Sequence, residues 1–206
     1  RIVWIANPNN PTGNFLPYAE VRAFMESVPK EVVVVLDEAY NEYIPPAERV
    51  DTATWLKEFP NLVICRTFSK IYGLAGLRVG YALASAEVAD LMNRVRQPFN
   101  VNNLALAGAL AALDDAEFLQ ASYELNRAGM AQIVAALERL KLEYIPSYGN
   151  FVTFRAGDGA AVNQKLLKQG VIVRPIGGYG LPEWLRVTIG TERENARFIE
   201  ALEKAL

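Results

Sequence analysis

The sequence predicts an α/β protein, with a mainly parallel sheet in a large domain and a smaller α+β domain after it. Two observations support this prediction. Short runs of Val, Ile and Leu alternate with segments of helical period up to about residue 115. A long helical stretch without proline follows, and further strand-like runs come after it. We therefore expect residues 1–115 to be the later part of the large domain and residues 116–206 to be a connecting helix with the small domain.

Short apolar runs predict the strands, and apolar residues at helical spacing predict the helices, in the following order along the chain. In the first domain they predict strands at 2–6, 32–36, 62–66 and 79–83 and helices at 17–27, 52–58, 86–96 and 102–113. The run from Glu117 to Leu142 predicts one long helix. In the second domain they predict strands at 143–145, 151–154, 171–173 and 185–189 and helices at 159–169 and 192–205.

Composition narrows the classes of function. The 206 residues are 51% hydrophobic with a net charge of −2, which gives no support to a nucleic-acid or membrane partner. No apolar run approaches the roughly 20 residues that cross a bilayer, so we expect a cytoplasmic protein. Histidine is absent, which excludes Ser-His-Asp and Cys-His catalysis within this chain. The single cysteine, Cys65, lies in an apolar run and is expected to be a buried, inert thiol.

Lys70 lies among hydroxyl residues and glycines in the segment that follows the third predicted strand. The segment T-F-S-K-I-Y-G-L-A-G-L-R covers residues 67–78. The Lys70 amine is suited to form a Schiff base with an aldehyde, while Thr67, Ser69 and Arg78 offer hydrogen bonds and charge to a phosphate. The pattern therefore indicates an aldehyde cofactor that carries a phosphate. The alternative is a solvated surface lysine in a polar loop.

Polar residues follow the first two strands as well. The loop N-P-N-N-P-T-G after strand 2–6 places Asn10 in a rigid turn, where its amide could donate to a ligand. The motif D-E-A-Y places Asp37, which we expect to be buried, and Tyr40 at the end of the second strand. A carboxylate there could keep a pyridine nitrogen protonated. The alternatives are a plain turn at Asn10 and a capping role for Asp37. In open α/β sheets, ligands bind at these strand ends.

The second domain offers candidate anion-binding residues. Arg186 lies inside the apolar strand L-R-V-T-I, where its charge needs a partner, either a ligand anion or a protein carboxylate. Asn150 and Arg174 stand at the start and the end of predicted strands. The glycine-rich loop 176–180 could close over a substrate or simply connect two strands.

The three strand-end motifs, in this order and spacing, resemble the aspartate-aminotransferase superfamily of pyridoxal-phosphate enzymes. Within it the chain most resembles the histidinol-phosphate aminotransferases. The resemblance covers the whole chain but only the later part of a family member. It implies fold type I, pyridoxal 5'-phosphate as cofactor, and a homodimer. By resemblance, Lys70 is the Schiff-base lysine and general acid/base, Asp37 is the partner of the pyridine nitrogen, Asn10 and Tyr40 contact the ring oxygen, and Thr67, Ser69 and Arg78 hold the phosphate.

The resemblance also implies roles for the second domain and for what precedes the chain. Arg186 would bind the α-carboxylate of amino- and keto-acid substrates, and with Arg174 the phosphate of histidinol phosphate. The segment 98–103 looks like the family's stretch before a helix of the dimer and the site. Because the chain starts at Arg1 inside a predicted strand, we expect a longer protein. The preceding part should hold a ring-stacking aromatic residue, a glycine-rich phosphate loop and a tyrosine that reaches the neighbouring subunit.

The expected function is transfer of an amino group from histidinol phosphate to 2-oxoglutarate in histidine biosynthesis. An aromatic-amino-acid aminotransferase or a threonine-phosphate decarboxylase would carry much of the same pattern. An alternative of another class is a non-catalytic cofactor-binding sensor module. No metal site is expected.

Overall fold

A computed structural model describes all 206 residues of the chain. The chain divides into two compact units. The first unit consists of Arg1–Pro8 and Phe15–Gln120, and the second of Asn9–Asn14 and Ala121–Leu206. A short loop near the start of the chain therefore belongs to the second unit, although the residues on both sides of it belong to the first.

The first unit contains a four-stranded sheet in the order β1-β2-β3-β4. The strands are β1 Ile2–Ala6, β2 Val33–Asp37, β3 Leu62–Thr67 and β4 Gly80–Ala84. β1, β2 and β3 are parallel, and β4 is antiparallel to β3. The prediction of a mainly parallel sheet is confirmed. The unbroken apolar run of β2 fits a central strand that is covered on both faces.

The strand register brings the candidate residues to one edge of this sheet. Ala6 is the Cα partner of Asp37, and Asp37 is the partner of Cys65. The carboxyl ends of parallel strands lie at the same edge of a sheet. Asp37 and the segment after β3 are therefore neighbours despite their separation in sequence.

Most predicted helices of the first unit are confirmed. They are α1 Tyr18–Ser27, α2 Ala86–Val95 and α3 Asn103–Asp114, the last two capped by the side chains of Ser85 and Asn102. The prediction of a regular helix at 52–58 is wrong, because Thr52–Lys57 forms a 3-10 helix. Pro60 follows closely and cannot continue a helix, which limits this segment to a short one. In α3 only Ala105 and Ala109 are buried.

The second unit has an antiparallel sheet in the order β5-β6-β8-β7. Its strands are β5 Tyr144–Ile145, β6 Phe151–Arg155, β7 Arg174–Pro175 and β8 Trp184–Thr188. The helices are α4 Ala116–Arg139, which begins in the first unit, α5 Gly159–Lys168 and α6 Glu192–Ala205. Buried side chains of β6, β8 and α6, such as Phe154, Leu185 and Phe198, form its core.

Two predicted boundaries are wrong, and both errors arise at helix ends. The helix predicted to reach Leu142 ends at Arg139, because Lys141 adopts a left-handed conformation with φ 56°. The strand predicted at 171–173 does not form, because the amide of Val171 donates to the Leu166 carbonyl and completes the end of α5. Both ends show the backbone hydrogen bonds of a Schellman motif, with a left-handed residue after the last turn. No helix has the length and apolar character needed to span a membrane.

Candidate functional site

A cavity of about 330 Å³ lies in the first unit at the edge where β2 and β3 end. Five of the seven predicted cofactor residues line it. Its lining residues are Asp37, Ala39, Cys65, Arg66, Thr67, Ser69, Lys70 and Arg78. The cavity combines one carboxylate, one amine, two hydroxyls and two guanidinium groups, and no cluster of residues suited to a metal ion occurs in the chain.

Asp37 is the last residue of β2 and is half-buried. Its Oδ1 accepts a hydrogen bond of 3.0 Å from the amide of Ala39, two residues on, and Asp37 also lies in the cavity wall. It does not cap the 3-10 helix Asn41–Tyr43 that follows, which has no side-chain cap. The prediction that Asp37 is a buried carboxylate is wrong. The fully buried acid is its neighbour Glu38, because the side chain after the strand end turns into the protein interior.

Lys70 follows β3 and carries an amine without a hydrogen bond or ion pair. Its Nζ lies 5.2 Å from the centroid of the buried Tyr40 ring, within the range of a cation–π contact. The Lys70 carbonyl accepts a hydrogen bond from Gly73, whose φ of +71° lets the chain turn back directly after the lysine. The structure thus brings Lys70 and Tyr40 together.

Thr67, Ser69 and Arg78 surround the same space. The amide of Ser69 donates to Thr67 Oγ1 at 3.0 Å, which fixes the turn that follows β3. Arg78 adopts a left-handed conformation with φ 53°, rare for a residue with a side chain, and its Nη1 donates to the Ala75 carbonyl. Strained backbone of this kind concentrates at functional sites. The exposed guanidinium retains further donors.

Arg66 lines the cavity and was not among the predicted site residues. It forms a salt bridge to Glu38 at 2.8 Å. An arginine within an apolar strand needs an anionic partner. The sequence shows this pattern at Arg66 as well as at Arg186, so it could have identified Arg66. Burial raises the pKa of the Cys65 thiol, and the charge of Asp37 raises it further.

Asn10 lies in the second unit, in a loop that is bonded to the sheet of that unit. Thr153 Oγ1 donates to the Pro11 carbonyl, and the amide of Tyr148 donates to the Gly13 carbonyl at 2.8 Å. Gly13 has φ +84°, and a Cβ at this position would lie 2.3 Å from Ser147 Oγ. These contacts hold the loop in place, beyond what its prolines alone provide.

Arg186 donates from Nη1 to Asn10 Oδ1, also within the second unit. Its Cζ lies 4.9 Å from the centroid of the Phe151 ring, and no carboxylate forms a salt bridge with it. Its Nε is buried without a hydrogen-bond partner. The alternative of a structural salt bridge at Arg186 is therefore excluded. Its guanidinium keeps one donor, Nε, that no protein group uses.

Arg174 is the register partner of Arg186 across β7 and β8. It begins β7, whereas the sequence placed it after a strand at 171–173. Directly opposed residues of antiparallel strands have Cβ atoms about 5 Å apart on one face of the sheet. Arg174 is exposed and forms no ion pair, so two arginines stand side by side without an acid. Such a pair attracts an anion.

Asn150 immediately precedes β6 in the same unit. Its carbonyl accepts a hydrogen bond from Ile189 at 2.9 Å, and its half-buried side chain forms no hydrogen bond. The glycine-rich loop forms a 3-10 helix over Gly177–Tyr179 with exposed residues. The two sets of predicted residues therefore occur in separate units: Asn10, Asn150, Arg174 and Arg186 in the second, and the rest in the first.

Comparison with known proteins shows the family of the chain. Residues 1–202 match the family described as aminotransferase class I and II. The chain belongs to this family. Histidinol-phosphate aminotransferase 1 of Dechloromonas aromatica is 85% identical over all 206 residues, which cover 57% of that relative. The protein of the same name from Thiobacillus denitrificans is 63% identical, with 54% of its length covered. The chain thus spans just over half the length of these curated relatives.

Solved structures of an aminotransferase and a decarboxylase have the same fold. Histidinol-phosphate aminotransferase from Sinorhizobium meliloti, solved in complex with pyridoxal-5'-phosphate, has a TM-score of 0.92 and 31% identity. The match covers 99% of this chain and 57% of that one. L-threonine-O-3-phosphate decarboxylase from Porphyromonas gingivalis has a TM-score of 0.86 and 28% identity, with coverage of 98% and 63%. The fold type I expectation is confirmed.

Proposed function

We propose that the chain is the later part of a pyridoxal-phosphate-dependent aminotransferase that transfers the amino group of histidinol phosphate to 2-oxoglutarate. One observation carries the proposal: Asp37, Thr67, Ser69, Lys70 and Arg78 line a single cavity. The relatives named above add the substrate, because two histidinol-phosphate aminotransferases are 85% and 63% identical to the chain.

The residues around the cavity fit pyridoxal phosphate. The Lys70 amine contacts the Tyr40 ring but forms no hydrogen bond or ion pair, so it is available to an aldehyde. Asp37 uses one oxygen for a backbone amide and keeps the other for a cationic ring nitrogen. Arg78 and the two hydroxyls match a phosphate in charge and in hydrogen-bonding capacity. When bound, the cofactor would supply an aldehyde for amine exchange and an electron-withdrawing ring.

Each residue then has a defined task. Asp37 would hold a proton at the ring nitrogen, and Tyr40 would donate a hydrogen bond to the ring oxygen. The same contact is proposed for Asn10 from the family resemblance alone. Lys70, once free, moves a proton at the substrate α-carbon. Thr67, Ser69 and Arg78 anchor the phosphate.

We assign the substrate anion to Arg186 and Arg174. Arg186 has an unpartnered buried Nε, and Arg174 lies beside it without an acid. A guanidinium binds carboxylate and phosphate oxygens equally well in a two-pronged geometry. The same pair can therefore hold the carboxylate of glutamate in one half-reaction and the phosphate ester in the other. We also assign Asn150 to substrate binding, because it lies in the same unit and its side chain forms no hydrogen bond.

We further infer that residues 1–115 belong to the large domain and residues 116–206 to the connecting helix and the small domain. We also infer that the protein is a homodimer. Preceding residues of the longer protein would complete the site. The chain covers only 57% of its 85%-identical relative, so we expect it to be inactive when expressed alone. Full transamination by this chain alone would contradict that expectation.

The test is an absorbance assay on the full-length protein. A cofactor band should appear in the near-visible range and shift on addition of histidinol phosphate. Phenylalanine and threonine phosphate, the substrates of the two alternative enzymes, should leave it unchanged. A response to either of these alone, or to none of the three amines, would refute the substrate assignment. The Lys70→Ala variant should lose transamination, since it lacks both the amine and the proton carrier.

A further inference from the structure

Glu38 is the only acidic residue among the buried side chains, with 0% of its surface exposed. Its carboxylate receives one hydrogen bond of 2.8 Å from Arg66 Nε and one of 2.7 Å from Thr52 Oγ1, and Arg66 Nη2 lies 2.8 Å away in a salt bridge. Burial raises the pKa of Glu38, and the Arg66 guanidinium opposes this rise. The pair has no task in the proposed chemistry, yet burying two charges is costly unless both are well bonded.

The position of this pair is specific. Glu38 directly follows Asp37, and Arg66 directly precedes Thr67. The Glu38 amide also donates to the Cys65 carbonyl at 2.9 Å. The pair therefore joins the ends of β2 and β3 at the point where each strand delivers its candidate cofactor residues.

A second link reaches the turn that contains Tyr40. The hydroxyl of Tyr18 lies 3.4 Å from Glu38 Oε1 and 2.9 Å from Asn41 Oδ1. Asn41 directly follows Tyr40 in the chain. One buried carboxylate thus ties together the segments 37–41 and 66–70.

We infer that the Glu38–Arg66 pair is a positioning device that holds Asp37 at a fixed separation from Thr67, Ser69 and Lys70. The inference rests on the proposed function. The ring nitrogen and the phosphate lie at opposite ends of one rigid cofactor. Its affinity therefore depends on the separation between the groups that bind the two ends. A ligand that binds only the phosphate end does not depend on that separation.

The test compares a two-ended ligand with a one-ended one on the full-length protein. The double variant Glu38→Gln with Arg66→Met removes both charges together, which avoids an isolated buried charge and favours folding. We expect its Kd for pyridoxal phosphate to rise about tenfold or more. Because Arg66 itself lines the cavity, its Kd for inorganic phosphate can rise as well, but by at least about threefold less. Unchanged affinity for both ligands, or equal losses for both, would overturn the inference.

Two single variants with smaller changes test the same inference if the double variant does not fold. Thr52→Val keeps both charges and removes the hydroxyl that contacts Glu38 and Arg66. Arg66→Lys keeps the charge and loses the planar guanidinium that contacts both Glu38 and Thr52. Each of these two variants should raise the Kd for pyridoxal phosphate about threefold and leave the Kd for inorganic phosphate unchanged. If neither variant changes the Kd for pyridoxal phosphate, the inference is overturned. Arg155→Lys alters an exposed pair with Glu183 and serves as the control. A parent protein without any cofactor band would instead refute the proposed function.

Discussion

Arg186 and Asn10 lie 176 positions apart in sequence, and the guanidinium of the first donates a hydrogen bond to the side-chain oxygen of the second. With its oxygen occupied, Asn10 has only its amide nitrogen left to offer a ligand. Arg186 thereby fixes the orientation of the Asn10 amide within the second unit.

This relationship predicts a particular effect of Arg186→Lys in the full-length enzyme. Lysine keeps the charge but loses the planar fork, the stacking on Phe151 and the defined bond to Asn10. We expect kcat/KM to fall about 100-fold for both histidinol phosphate and 2-oxoglutarate. Steady-state kinetics with each substrate would measure this, with Arg155→Lys as a control of equal chemistry on an exposed arginine. A loss confined to one substrate would contradict the shared anion site.

The loop that carries Asn10 predicts a second outcome, at Gly13. Gly13→Ala places a Cβ 2.3 Å from Ser147 Oγ at a backbone φ of +84°. We expect a loss of about 2 kcal/mol in the free energy of unfolding and weaker substrate binding. Gly178→Ala is the matched control, since nothing lies within 4 Å of its new Cβ. Urea denaturation of both variants should show a clear loss only for Gly13→Ala.

Cys65 offers a chemical probe because its thiol lines the cavity, and peptide mass spectrometry of the full-length protein can follow its alkylation separately. Burial and the charge of Asp37 raise its thiol pKa, so the thiolate forms only at a higher pH than in an ordinary cysteine. The pH profile of its alkylation by iodoacetamide should lie above that of free cysteine. Asp37→Asn should shift the profile downward, and bound pyridoxal phosphate should slow the reaction. Equal rates with and without cofactor would place the cofactor elsewhere.

The start of α6 gives a prediction on stability and pH. Thr191 and Glu194 form a capping box, and the hydrogen bond from the Thr191 amide lowers the pKa of Glu194. Because the folded-state pKa is lowered, this contribution is complete above the unfolded pKa and is lost as the pH falls through the folded one. Glu194→Ala removes the carboxylate that the Thr191 amide and hydroxyl contact. It should therefore destabilise the protein at pH 7, and the difference from the parent should narrow in acid. A difference independent of pH would show that the charge of Glu194 does not take part.

The sequence was most informative where the pattern is local. Periodicity located the four strands of the first unit, and the rule for parallel strands correctly brought Asp37 and Lys70 to one edge. The end of α4 before Lys141 was missed, because a left-handed residue other than glycine leaves little trace in a sequence. The strand at 171–173 was wrongly predicted because its apolar run follows the left-handed Gly170 and completes the end of α5. The burial of Glu38 was missed as well, because it depends on Arg66 and Thr52, which are distant in the chain.

The loop Asn9–Asn14 belongs to the second unit although it interrupts residues of the first. The backbone consequently passes from one unit to the other three times, after Pro8, after Asn14 and after Gln120. No single cut can yield both units whole. A piece that starts at Ala121 would keep Arg186 and lose Asn10, its hydrogen-bond partner. Protein engineers who wish to exchange the small domain between relatives must therefore move two segments of the chain together.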